Sequence, residues 1–111
     1  GAQQGWVLIA LHNAFHQLLS GTEVEEALAR TLALGGDTDT NAAIAGALLG
    51  AVQGARALPK QWVDRILSCR PLDGHPGVQR PRPRACWPVD ALLLSERLVR
   101  LGQHASTALR G

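Results

Sequence analysis

At 111 residues the chain has room for one domain at most. A formal charge of +2 gives no case for wholesale nucleic-acid binding, and the longest apolar run, Ala42 to Val52, falls far short of the ~20 residues a membrane helix needs. Cys69 and Cys86 make no CxxC, so a zinc ribbon and a thioredoxin motif are both excluded, and two free thiols in a cytoplasmic protein are the expectation.

Gly5 to Leu19 predicts a first helix. Val7, Leu8, Leu11, Ala14, Phe15, Leu18 and Leu19 recur at the spacing of a buried face, and His12, Asn13, His16 and Gln17 form a polar stripe expected to face water. His12 and His16 stand at i, i+4, but no third ligand accompanies them, which argues for a solvated pair over a metal pair. Ser20-Gly21 ends this helix. Thr22-x-x-Glu25 then reads as a capping box opening a second helix, whose packing face is Leu28, Leu32, Ala29 and Ala33.

Gly35-Gly36-Asp37-Thr38-Asp39-Thr40-Asn41 follows, and the chain is organised around it. Two glycines supply a tight turn, and four oxygen-bearing side chains come next, before a run of small residues. Two carboxylates so close together are costly unless something positive lies between them. Hard divalent cations such as Mg²⁺ take carboxylate and hydroxyl oxygens, which Asp37, Asp39 and Thr40 offer. The plainer alternative is that Asp37 or Thr38 caps a helix and Asp39 is a first-turn acid. An EF-hand is excluded, because its sixth and twelfth positions hold Ala42 and Leu48 here. A phosphotransferase Asp-x-Asp loop would follow a buried strand, whereas Leu28 to Leu34 continues a helix.

The third helix spans about Ala42 to Ala55. Gly46, Gly50 and Gly54 fall on one ridge, which predicts close approach of a neighbour and a central, nearly fully buried helix. Pro59 opens a short amphipathic helix with Trp62 in the core. From about 69 to 87 periodicity is lost, five of the six prolines lie between Pro71 and Pro88, and Gln79-Arg80-Pro81-Arg82-Pro83-Arg84 reads as a solvated connector. Arginines spaced by prolines are also suited to clamping a phosphate or an acidic partner. Pro88 opens a last helix, Val89 to Leu101, which Gly102 should end. No strand pattern occurs, so the fold class is all-α.

Gly35 to Gly46, continuing through Gly50, Gly54, Pro59 and Trp62, resembles the C-terminal metal motif of the ADP-ribosylglycohydrolase family, the group of the dinitrogenase reductase-activating glycohydrolase. The upstream Gly5-Trp6-Val7 also resembles that family, in which a Gly-aromatic-Val segment precedes the acidic motif by a similar interval. A weaker likeness runs on through Trp87-Pro88-Val89-Asp90.

The resemblance implies an orthogonal helical bundle, of which this chain supplies about five helices, and two Mg²⁺ or Mn²⁺ ions. It implies hydrolysis of ADP-ribose from modified proteins or related conjugates. Asp37 and Thr40 match ligands of one ion, Asp39 the carboxylate that touches both, and Gly5 and Trp6 the lining of the substrate cleft. The aromatic in the family is often Tyr, so Trp6 lacks a phenol hydroxyl. The family's other acidic cluster, a Thr-Asp-Asp-like group near the start of the domain, has no counterpart here. The chain therefore matches the C-terminal part of a single domain, expected to be cytoplasmic and monomeric when complete, and inactive as an isolated segment. Two other classes stay open: a non-catalytic relative that binds ADP-ribose or is structural, and a helical module whose Pro/Arg loop binds a partner.

Overall fold

The structure, a computed structural model, describes residues 6–110. Five α-helices and no strand occur among them, and the fold is all-α. The chain divides into two compact units, one up to Lys60 and the other from Gln61 onward.

The first unit holds α1 (Val7–Leu19), α2 (Val24–Ala33) and α3 (Thr38–Gln53), followed by a 3₁₀ turn at Ala55–Ala57. α3 is central and packs on both α1 and α2. Its buried stripe is Asn41, Ala45 and Leu49, spaced one turn apart, and the rest of the helix is partly or fully exposed. α3 is therefore less enclosed than its glycines suggest. Of the three glycines, only Gly46 meets a neighbour: a Cβ there would lie 3.6 Å from Leu28 Cδ2. A Cβ at Gly50 would meet nothing within 4 Å beyond its own helix backbone and chain neighbours, and Gly54 is the helix C-cap at φ +83°. The last glycine is thus a terminator, not part of a packing ridge.

α1 turns a different face inward from the one its apolar stripe predicts. Its buried residues are Ala10, Asn13, Ala14 and Gln17, while Leu8, Leu11, Phe15 and Leu19 are exposed. Two alanines permit close helix approach, and the polar pair bonds locally, although the buried Gln17 Oε1 finds no partner among the described residues. Asn13 Nδ2 donates to Thr31 Oγ1 at 2.9 Å, Thr31 donates to the Ala27 carbonyl at 2.8 Å, and Gln17 Nε2 donates to Asn13 Oδ1 at 3.4 Å. Of the predicted polar stripe, only His12 and His16 face outward.

Thr22 does not cap α2. The helix starts one residue too late for that, with Glu23 at the N-cap position and no cap bond from its side chain. Gln53, at the far end of α3, does the work instead. Its Oε1 accepts the Val24 N–H at 3.1 Å, and its Nε2 donates to the Thr22 carbonyl at 2.8 Å. Thr22 Oγ1 accepts from Arg30 at 3.3 Å. Start of α2 against end of α3 makes the pair an antiparallel hairpin. α2 packs through Val24, Ala27 and Thr31; Ala29, Leu32 and Ala33, expected to pack, are exposed. Val24, Ala27 and Leu49 form the core, with Leu18, Leu28, Ala57 and Leu58 against it.

The second unit carries α5 (Ala91–Arg110) and all of α4 (Lys60–Leu67) but its first residue, with no buried residue in either helix. Pro59 immediately precedes α4. Trp62 is 38% exposed, which corrects its assignment to a core: α4 buries none of its residues. The Pro/Arg segment is pinned by the Arg82 N–H donating to the Pro71 carbonyl at 2.9 Å. α5 runs through Gly102 to Arg110, beyond its predicted end. Gly102 does not take the positive φ of a helix-ending glycine, and good helix formers follow it. Among the described residues, no helix is long and apolar enough to cross a membrane.

Candidate metal site

The acidic loop is built by the reversal between α2 and α3. Leu34 closes α2 in right-handed geometry, and its N–H bonds to the Arg30 carbonyl at 3.1 Å. Gly35 and Gly36 then both take left-handed φ, +74° and +78°, which other residues adopt only with strain. This turns the chain within four residues and delivers Asp37 to the start of α3.

Asp37 occupies the N-cap position at φ −80°, ψ 72°, yet its carboxylate makes no capping bond. The first bond of α3 is instead carried by backbone, Asn41 N–H to the Asp37 carbonyl at 3.0 Å. Asp39 lies in the first turn, is exposed, and accepts the Thr40 N–H on Oδ1 at 2.9 Å. A side-chain hydrogen bond shared with Asp37, and then the Thr40 N–H, hold the Asp39 carboxyl below its usual range. The plain capping alternative is thus half met: the residues sit at capping positions, but Asp37 is not used as a cap.

As a donor set, two carboxylates and the Thr40 hydroxyl fit a hard divalent cation in kind. In number they fall short of a full shell. No group of three or more His, Cys, Asp or Glu residues able to hold a metal occurs among the described residues. His12 and His16 stack in near-parallel fashion with centroids 6.4 Å apart and gain no third ligand. Trp6 stands exposed at the N-cap of α1; Gly5, its partner in the expected cleft lining, lies outside the described residues. Cys69 and Cys86 are both free and exposed.

A family model, ADP-ribosylglycohydrolase, matches residues 1–103. The chain belongs to this family. A protein of Acanthamoeba polyphaga mimivirus named as an ADP-ribosyl glycohydrolase is 30% identical over 80 residues, covering 72% of this chain and 24% of that protein. The ADP-ribosylhydrolase ARH3 of Danio rerio is 46% identical over 50 residues, 45% of this chain and 13% of the relative. The chain therefore spans about a quarter or less of these family members. No solved structure matches it significantly. One residue escapes sequence reading altogether: Gln53, which fixes the hairpin behind the loop, belongs to no motif, and only the fold brings it to Val24.

Proposed function

We propose that the chain supplies the second metal-ligand group of a hydrolase that removes ADP-ribose from modified proteins or related conjugates. The observation that supports this most is the idle carboxylate of Asp37, which stands at a capping position without capping, two residues before Asp39 in the first turn of α3. Two acids held together on an exposed loop gain most from a cation between them. Asp37 and Thr40 would hold one Mg²⁺ or Mn²⁺ ion, and Asp39 would reach both ions of a pair. Such a pair, when bound, polarises ribose oxygens and offsets charge at a glycosidic bond being cut. Asp39 is suited to its part because it keeps its charge into acid. Trp6 would offer its ring to the substrate at the start of α1, with Gly5 beside it. The protein would work in the cytoplasm, where Cys69 and Cys86 stay reduced.

The test joins this chain to an N-terminal part carrying the family's first acidic cluster. Release of ADP-ribose from a modified peptide should require Mn²⁺ or Mg²⁺ and should vanish in Asp39→Ala. Metal-independent release, or release unaffected by that substitution, overturns the proposal.

A further inference from the structure

His12 and His16 stand one turn apart on α1, both exposed, and line a cleft of about 530 Å³ whose other walls include Ile9, Gln17, Arg30 and Leu34. We propose that the two imidazoles hold a nitrogen-preferring divalent ion, of the Zn²⁺ kind, at this cleft. The site shares no residue with Asp37, Asp39 and Thr40 and stands independently of them.

Spacing alone argues for a solvated pair, and the structure adds the way the rings face each other. Their centroids are 6.4 Å apart and their planes lie within 11° of parallel. Two metal–nitrogen bonds of about 2.0–2.1 Å, together with the ring radii, span that gap without moving the helix. Neither side chain has a hydrogen bond or ion pair among the described residues, so no such contact is given up to bind an ion. Both rings spring from a regular helix packed on α3, which holds their origins still.

Gln17 supplies an unmet acceptor beside the rings. It is 2% exposed and lines the same cleft, and its Oε1 has no partner among the described residues. A buried acceptor left unmet is costly and calls for a donor. The bond that holds the amide, Nε2 to Asn13 Oδ1, is long at 3.4 Å and holds it loosely. Two imidazoles leave a divalent ion with open positions, which water fills, and a metal-bound water is a strong donor. A small turn of the Gln17 amide toward the rings brings Oε1 to such a water.

The donor type selects the ion. Imidazole nitrogens suit Zn²⁺, Cu²⁺ and Ni²⁺, whereas carboxylate and hydroxyl oxygens suit Mg²⁺ and Mn²⁺. The α1 pair is therefore matched to a different set of ions from the acidic loop. Arg30 is the one permanent charge among the described lining residues. Its guanidinium is engaged by the Glu26 carboxylate and by Thr22 Oγ1, which blunts its repulsion of a cation.

The experiment titrates the full chain with Zn²⁺ and with Mg²⁺ at about pH 8, above the ordinary imidazole range. Cys69→Ser and Cys86→Ser first remove the free thiols that would compete for the ion. The ring C–H resonances of His12 and His16 are followed by NMR, each assigned by its loss in His12→Gln or His16→Gln. Zn²⁺ should shift both with one common midpoint, and Mg²⁺ should shift neither. Each variant should weaken the response of the remaining ring at least about tenfold, since even a supporting contact of a metal ligand is worth that much. Both side chains are exposed, so the variants should fold as the parent does. His104→Gln, on α5, should leave the response unchanged, and Zn²⁺ should raise the urea midpoint of the parent but not of His12→Gln. Gln17→Leu should weaken binding several-fold, as loss of one hydrogen bond implies. No saturable shift, a shift of one ring alone, or an equal response to Mg²⁺ overturns the proposal. Unchanged binding in Gln17→Leu overturns the part given to the amide.

Discussion

At the scale of single residues, two carboxylates and two glycines decide what the α2–α3 reversal can do. If Asp39 serves two ions and Asp37 one, Asp39→Asn should weaken Mn²⁺ binding by the completed protein more than Asp37→Asn, as read by calorimetric titration. Equal or reversed losses contradict that division of roles. The acid itself has a measurable signature. Its ionised form is favoured in the folded state, so its contribution is present above 3.8 and disappears as pH falls through a lower, native midpoint. Following the Asp39 carboxyl carbon by NMR should give a midpoint below 3.8; a value at or above it removes the hydrogen bonds from the account. Gly35 carries a different burden. A Cβ there meets nothing within 4 Å, yet φ is +74°. Gly35→Ala should therefore cost about 1–2 kcal/mol from backbone strain alone, measured by urea unfolding.

At the scale of elements, the capping of α2 by Gln53 gives the sharpest expectation. Gln53→Leu removes the acceptor for the Val24 N–H and the donor to the Thr22 carbonyl together. Loss of a cap and of a partly buried bond predicts about 1–2 kcal/mol of destabilisation in a urea melt. Gly50→Ala should act oppositely, adding about 0.5–1 kcal/mol, because the site is open and helical. The helices themselves, the double-glycine turn and the acidic loop were legible in the sequence, because periodicity and turn chemistry are local. What each helix packs against was not. Leu8, Leu11 and Phe15 announce an apolar stripe, but periodicity does not say that α3 meets the Ala10–Ala14 side instead. Thr22 and Glu25 satisfy a spacing rule, yet the start of α2 is set by a side chain 29 residues away. Gly102 has the right type to end a helix, and only its φ shows that it does not.

At the scale of the whole molecule, the chain belongs to a family whose compared members are several times longer. α1 leaves Leu8, Leu11, Phe15 and Leu19 exposed together, and no third acidic or histidine ligand accompanies Asp37 and Asp39 among the described residues. Three side-chain oxygens are half of what Mg²⁺ prefers. The 111-residue chain by itself should therefore release no ADP-ribose from a modified peptide even with saturating Mn²⁺. Metal-dependent release that Asp39→Ala abolishes would show that half a site suffices.

The Gln53 clasp has a kinetic consequence. α2 is fastened at both ends, covalently through Leu34 to Asp37 and non-covalently through one amide side chain at its first turn. A helix of 10 residues ordinarily frays from its start, and its amides exchange with deuterium in graded order. With its first turn held by α3, α2 has no loose end from which to unzip. Its amides should exchange as one block, at a rate tied to the opening of α3, whereas α5 should show a gradient falling away toward Arg110. Gln53→Leu should convert the block in α2 into a gradient, leaving α5 unchanged.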